Sequence, residues 1–163
     1  MRVAIIGNSG SGKSTLARNL KKKHGLAFLE LDSIVWEPGQ IAIPRQRASV
    51  EKELARFLNG NTSWVVEGCY AEIVESALSK EPKLIFLNPG EAICLENNRN
   101  RPWEPHKYAS KADQDRMLEN LLKWVRDYYS RDDQSSLLAH RRLFSEYAGP
   151  KTEVVDLHEL PGF

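Results

Sequence analysis

The residues with the plainest chemical meaning lie at the start of the chain, in the run Gly7-Asn8-Ser9-Gly10-Ser11-Gly12-Lys13-Ser14, followed by Thr15. This run satisfies G-x-x-x-x-G-K-[ST] in full, after a strand-like segment and before a helical pattern. Glycines allow successive backbone N–H groups to turn inward into a nest for phosphate oxygens. The helix that follows presents its positive pole and its unpaired N–H groups to the same anion. Lys13 is placed to reach the β- and γ-phosphates, Ser14 to ligate Mg²⁺, and Thr15 to lie near the α-phosphate. The motif predicts binding of ATP, or a close relative, with Mg²⁺. The competing reading is a Gly/Ser turn that merely caps a helix, and the match of motif to context weighs against it.

A phosphate cradle implies a nucleotide and leaves the reaction open, so the other acids and bases have to discriminate. Two carboxylates are expected at the carboxyl ends of strands, where ligands gather in an open α/β sheet. Glu67 follows Trp64-Val65-Val66, the context of an acid that holds Mg²⁺, often through water; an acid capping the next helix is the alternative. Asp32 follows the second strand and could orient an acceptor hydroxyl or take its proton; the N-cap of a short turn is its alternative. Gly68 would let a substrate approach the backbone closely.

A third group follows the fourth strand. Arg99 and Arg101 precede Pro102-Trp103-Glu104-Pro105-His106-Lys107-Tyr108, a polar, basic stretch suited to a lid over phosphates. Arginine donates in a planar fork and stays charged, so either residue could stabilise charge on a transferring group. Solvated surface arginines are the alternative. His106 reads as loop packing or surface, while Trp103 and Trp36 could stack on a planar acceptor or simply pack.

Short apolar strands alternating with amphipathic helices must position these groups, which predicts an α/β fold with a parallel sheet. Strands are expected over 3–7, 27–31, 64–67, 83–87 and 153–157. Helices are expected over 13–24, through Leu54, Phe57 and Leu58 to Asn59-Gly60, over 72–79, from near Glu91, and over 112–129 and 135–147. Loops are expected around Pro38, Gly39 and Pro44, and over 97–111.

The chain has 163 residues, 41% hydrophobic and 28% charged, which fits a single domain over 1–163 with a lid-like insertion near 97–112. No apolar run approaches the roughly 20 residues that cross a bilayer, and the motif-bearing start leaves no room for a cleavable leader, so a cytoplasmic protein is expected. Cys69 and Cys94 lie far apart, and the four histidines lack metal-binding spacing. A formal net charge of +1 gives no general argument for nucleic acid. The cations Lys21, Lys22 and Lys23 read as a solvated helix end, with a DNA-binding patch as the alternative.

These segments resemble the P-loop kinase group that includes adenylate kinases, shikimate kinases and the topology modulation proteins. The likeness to the last is carried by GNSGSGKSTLA at 7–17, LDSIVWEPG at 31–39, WVVEGCY at 64–70 and IFLNPGEAICLENNRNR at 85–101. The resemblance implies a three-layer α/β/α domain with a five-stranded parallel sheet, the P-loop strand lying between the third and fourth strands. It also implies Asp32 as the acid facing the acceptor, Glu67-Gly68 as the opening of the acceptor loop, and Arg101 as part of the lid. Two departures stand out: Asn97 occupies a position where such proteins often carry arginine, and Gly68-Cys69-Tyr70 replaces the Gly-Phe-Pro-Arg of adenylate kinases. Three functions follow: a kinase acting on a small acceptor, nucleotide or nucleoside first; a nucleotide-dependent regulatory or DNA-linked module; and a partner-driven NTPase. A monomer is the default, with a dimer possible.

Overall fold

A computed structural model describes residues 1–37, 40–105 and 108–159. Five parallel strands form the central sheet: β1 (Arg2–Gly7), β2 (Ala27–Glu30), β5 (Trp64–Gly68), β6 (Lys83–Leu87) and β7 (Lys151–Val154), in the order β2-β5-β1-β6-β7. The P-loop strand β1 therefore lies between the third and fourth strands of the sheet, as the resemblance implies. β1, β5 and β6 are almost wholly buried, which explains their continuous apolar runs: in a parallel sheet both faces are covered.

Side-chain alternation divides these strands between two cores. Val3, Ile5, Val65, Ile85 and Leu87 face helix α1 (Lys13–His24), which inserts Leu16, Ala17 and Leu20. Ala4, Ile6, Trp64, Val66, Leu84 and Phe86 face the other way, towards α3 (Arg47–Gly60), α4 (Ala71–Leu78) and α7 (Leu137–Glu146). The result is a three-layer α/β/α domain. Truncating a fully buried side chain such as Phe86 to alanine would remove on the order of 3–5 kcal/mol of stability. A smaller cluster joins α5 (Glu91–Arg99) to α6 (Lys111–Asp127) through Cys94, Leu95, Leu122 and Val125.

Three local expectations are corrected. Between β2 and α3, the chain forms a short helix, α2 (Asp32–Val35), and an antiparallel pair, β3 (Trp36–Glu37) with β4 (Gln40–Pro44); Pro38 and Gly39 lie outside the described residues. The polar run at 97–99 is helical, because Asn98 is buried and donates to the Cys94 carbonyl at 2.8 Å. The irregular segment thus begins at Asn100. The last strand pairs with β6 over Lys151–Val154, before the position expected from its apolar residues. Beyond it the Asp156 carboxylate accepts from the His158 N–H at 2.9 Å and turns the chain away from the sheet. Two helices start on serine caps, Ser110 accepting from the Asp113 N–H and Ser136 from the Ala139 N–H, both at 3.1 Å.

Candidate active site

The sheet order reverses at β1, and the crevice at this switch point opens at the carboxyl ends of β1, β5 and β6. There a cleft of about 1280 Å³ is lined from both sides. Ser9, Gly10, Gly12, Lys13, Ser14 and Thr15 line it, while Gly7 closes β1 and the buried Asn8 and Ser11 lie behind. Gly10 has φ +78°, and a Cβ there would lie 2.3 Å from the Cys94 carbonyl oxygen, so only glycine fits this turn. Lys13 is 8% exposed, and its Nζ donates to the Asn8 carbonyl at 2.7 Å, which holds the ammonium inside its own loop.

The loop is tied to α5 and α6 by contacts that motif reading misses. Asn8 Nδ2 donates to the Val125 carbonyl of α6 at 3.0 Å. Asn97 Nδ2 donates to the Gly10 carbonyl at 2.8 Å, and Ser9 Oγ donates to Asn98 Oδ1 at 3.0 Å. Arg101 reaches the same arm, with Nη2 donating to Ser9 Oγ and Nη1 to Glu104 Oε2, both at 3.3 Å. Asn97, the departure from arginine, therefore serves as a loop anchor. The signal was the asparagine pair itself: adjacent amides at a helix end can satisfy a neighbouring backbone turn.

Glu67 leaves β5 beside the cradle because β5 pairs with β1 in register, Glu67 opposite Ile5 and Gly68 opposite Ile6. It is 2% exposed, and Ser14 Oγ donates to its Oε1 at 2.6 Å. Burial pushes the Glu67 carboxyl above the usual carboxylate range; Lys13 and the Ser14 hydrogen bond pull it back, and Glu30 and Asp32 add to the rise. The two oxygens expected to serve Mg²⁺ are thus side by side, and oxygen donors of this kind suit a hard cation. Among the described residues no group of three or more His, Cys, Asp and Glu side chains forms a metal cage.

Asp32 opens α2 on the opposite wall and lines the cleft. Its Oδ1 accepts from the Tyr70 hydroxyl at 2.6 Å, and that hydroxyl in turn accepts from Trp36 Nε1 at 3.0 Å. Gly68 answers to packing: a Cβ there would lie 2.8 Å from Leu31 Cδ1, so its smallness admits a neighbouring side chain. The following corner is fixed by the buried His140, whose Nε2–H donates to the Cys69 carbonyl at 2.8 Å while Nδ1 accepts from the Tyr128 hydroxyl at 2.9 Å. Burial lowers the His140 pKa to about 4, and it raises that of the Cys69 thiol to about 11, so the first is neutral and the second is unreactive.

The structure separates Arg99 from Arg101. Arg101 lines the cleft together with Trp103 and Tyr108, whereas Arg99 sits exposed on α5 away from it. His106 and Lys107 lie outside the described residues. The Lys21-Lys22-Lys23 run occupies the last turn of α1, where cations complement the helix dipole. Among the described residues no helix is long and apolar enough to cross a membrane.

Comparison with known proteins agrees with this architecture. No protein-family profile matches the chain. A curated relative, the cytidylate kinase of Oleidesulfovibrio alaskensis, is 37% identical over 59 residues, 34% of this chain and 27% of that protein. The chain thus spans only about a quarter of that relative. Among solved structures, the shikimate kinase of Aquifex aeolicus shares 19% identity with a TM-score of 0.51, over 94% of this chain and 85% of that one. The YorR protein of Bacillus subtilis, solved in complex with phosphorylated GDP, gives 10% identity and a TM-score of 0.52 over the same shares. The fold is that of the P-loop nucleotide-binding domains found in kinases.

Proposed function

We propose that this protein is an ATP-dependent phosphotransferase that moves the γ-phosphoryl group to a hydroxyl of a small acceptor. The observation that carries the reading is the meeting of Lys13, the Ser14–Glu67 pair and Asp32 in one cleft. The likeness to a cytidylate kinase, and the shikimate kinase among the structural neighbours, support a kinase class. Within that class, the segments at 7–17, 31–39 and 64–70 favour the topology modulation subgroup. The aromatic side chains Trp36, Trp103 and Tyr108 along the cleft favour a nucleotide or nucleoside acceptor, which offers flat rings to stack on.

In this mechanism the amides of the loop and Lys13 hold the β- and γ-phosphates, Lys13 leaving the Asn8 carbonyl to do so. Ser14 and Glu67 would hold Mg²⁺, whose chemistry is to offset charge on the phosphate oxygens. Asp32 orients the acceptor hydroxyl and takes its proton as the oxygen bonds to the γ-phosphorus. The bond from that phosphorus to the bridging oxygen breaks, leaving ADP, the phosphorylated acceptor and a proton. Arg101, at the cleft beside Ser9, stabilises charge on the transferring group. Catalysis rests on positioning and electrostatics, without a covalent enzyme intermediate. We read the protein as a cytoplasmic monomer acting on a small molecule.

The test is transfer from γ-labelled ATP with Mg²⁺ to pooled nucleosides, nucleoside monophosphates and hydroxylated metabolites, with Lys13→Ala as control. Label in a new small molecule, lost in the variant, is the expected result. Label appearing only as free phosphate, at one rate with every pool, would overturn it in favour of an NTPase.

A further inference from the structure

Tyr70 closes the WVVEGCY segment without a chemical role assigned from sequence, yet its geometry ties it to Asp32, the acid proposed to face the acceptor. It is 7% exposed and immediately precedes α4, its carbonyl accepting from the Ile73 and Val74 N–H groups. The residue on one side of it is pinned by His140 through the Cys69 carbonyl, and the residue on the other by the Ala71 N–H donating to the Gln134 carbonyl at 2.9 Å. The phenol therefore has little freedom to move. Its oxygen accepts from Trp36 Nε1, which leaves its own proton directed at Asp32 Oδ1. Trp36 and Tyr70 also meet edge to face, with ring centroids 6.4 Å apart and planes at 68°. Burial holds the phenol far above its ordinary pKa, so it stays a donor throughout the working pH range.

We infer that Tyr70, set by Trp36, is a positioning residue that fixes the orientation of the Asp32 carboxylate by engaging its Oδ1. The inference rests on the phosphotransferase reading. A charge-assisted hydrogen bond of 2.6 Å from a buried donor selects one orientation. Near-attack geometry tolerates little error, so the effect of losing that bond falls on turnover and not on nucleotide binding.

The experiment is a double-mutant cycle on the full chain, with Tyr70→Phe and Asp32→Asn alone and together, read as single-turnover transfer from labelled ATP. Tyr70→Phe should lower the transfer rate about ten- to a hundredfold, the range for a hydrogen bond to a charged group, with KM for ATP unchanged. In the Asp32→Asn background the same change should cost less than about threefold, because its route of action is already gone. Equal losses in both backgrounds, or no loss in either, would overturn the inference and leave the kinase reading standing. Wild-type protein that transfers no label to any acceptor sinks that reading, and this inference with it. Should Tyr70→Phe fail to fold, Trp36→Phe removes the donor that aims the phenol, and should show a smaller loss with the same dependence on Asp32.

Discussion

Residues 7–15, which we propose cradle the phosphates, come from one unbroken run, whereas the facing wall draws Asp32 from α2, Trp36 from β3, Glu67 from β5 and Tyr70 from just before α4. The cradle needs particular backbone conformations, which glycines at fixed spacing provide locally. The wall needs side chains brought together across the sheet, and only the parallel pairing of β2 with β5 and of β5 with β1 brings them close. The two sides also differ in support. The cradle is anchored by backbone and amide contacts from Asn8, Asn97 and Asn98 to neighbouring helices. The wall is anchored by a relay in which Trp36 donates to the Tyr70 hydroxyl and Tyr70 donates to the Asp32 carboxylate. A local motif can therefore bind one ligand class in many proteins, while the assembled wall sets what is done with it.

The contrast predicts different losses on the two sides. Arg101 reaches the cradle through Ser9, so Arg101→Ala should lower transfer on the order of 10²- to 10³-fold, as for loss of one donor to transition-state charge. Arg99→Ala, on the exposed face of α5, should stay within about twofold, the range of ordinary surface changes. Steady-state kinetics with both variants checks this, and equal losses would mean that the lid arginines act as a pair.

A smaller effect concerns Glu67, which joins the two sides. Its folded carboxyl titrates above the unfolded one, so holding it ionised costs stability that grows as pH rises through the folded value. Glu67→Gln should raise the melting temperature of the nucleotide-free protein near neutral pH, by about 2–4 °C per kcal/mol relieved. The gain should vanish in acid, where the wild-type carboxyl is protonated too. Thermal melts across pH check it. A variant that melts lower than wild type near neutrality would show that Lys13 and Ser14 outweigh the burial cost.

How much of this is legible in the sequence follows the same division. That residues 9–10 and 12–15, Asp32 and Glu67 line one cleft can be read because motif spacing and strand ends announce it, and the strand order follows from the resemblance they carry. Arg99 and Arg101 look alike in sequence, and only the extension of α5 through Arg99 puts one outside the cleft. The run at 97–100 reads as loop because its polarity hides that Asn98 is buried against the cradle. Tyr70 and Trp36 cannot be paired from spacing at all, since they lie 34 residues apart on separate elements of the same wall. The β3–β4 pair is hidden because Pro44, which reads as a strand breaker, is itself a residue of β4 opposite Trp36.

On the proposed function, nucleotide binding belongs to the cradle and transfer to the wall. The most direct test is calorimetric titration of Mg·ATP into wild type, Lys13→Ala and Asp32→Asn, beside transfer assays on the same preparations. The account predicts that Asp32→Asn binds Mg·ATP within about threefold of wild type while losing transfer on the order of 10²- to 10⁴-fold. Lys13→Ala should lose both. Asp32→Asn that weakens nucleotide binding as severely as Lys13→Ala, or that transfers phosphate at the wild-type rate, would contradict it.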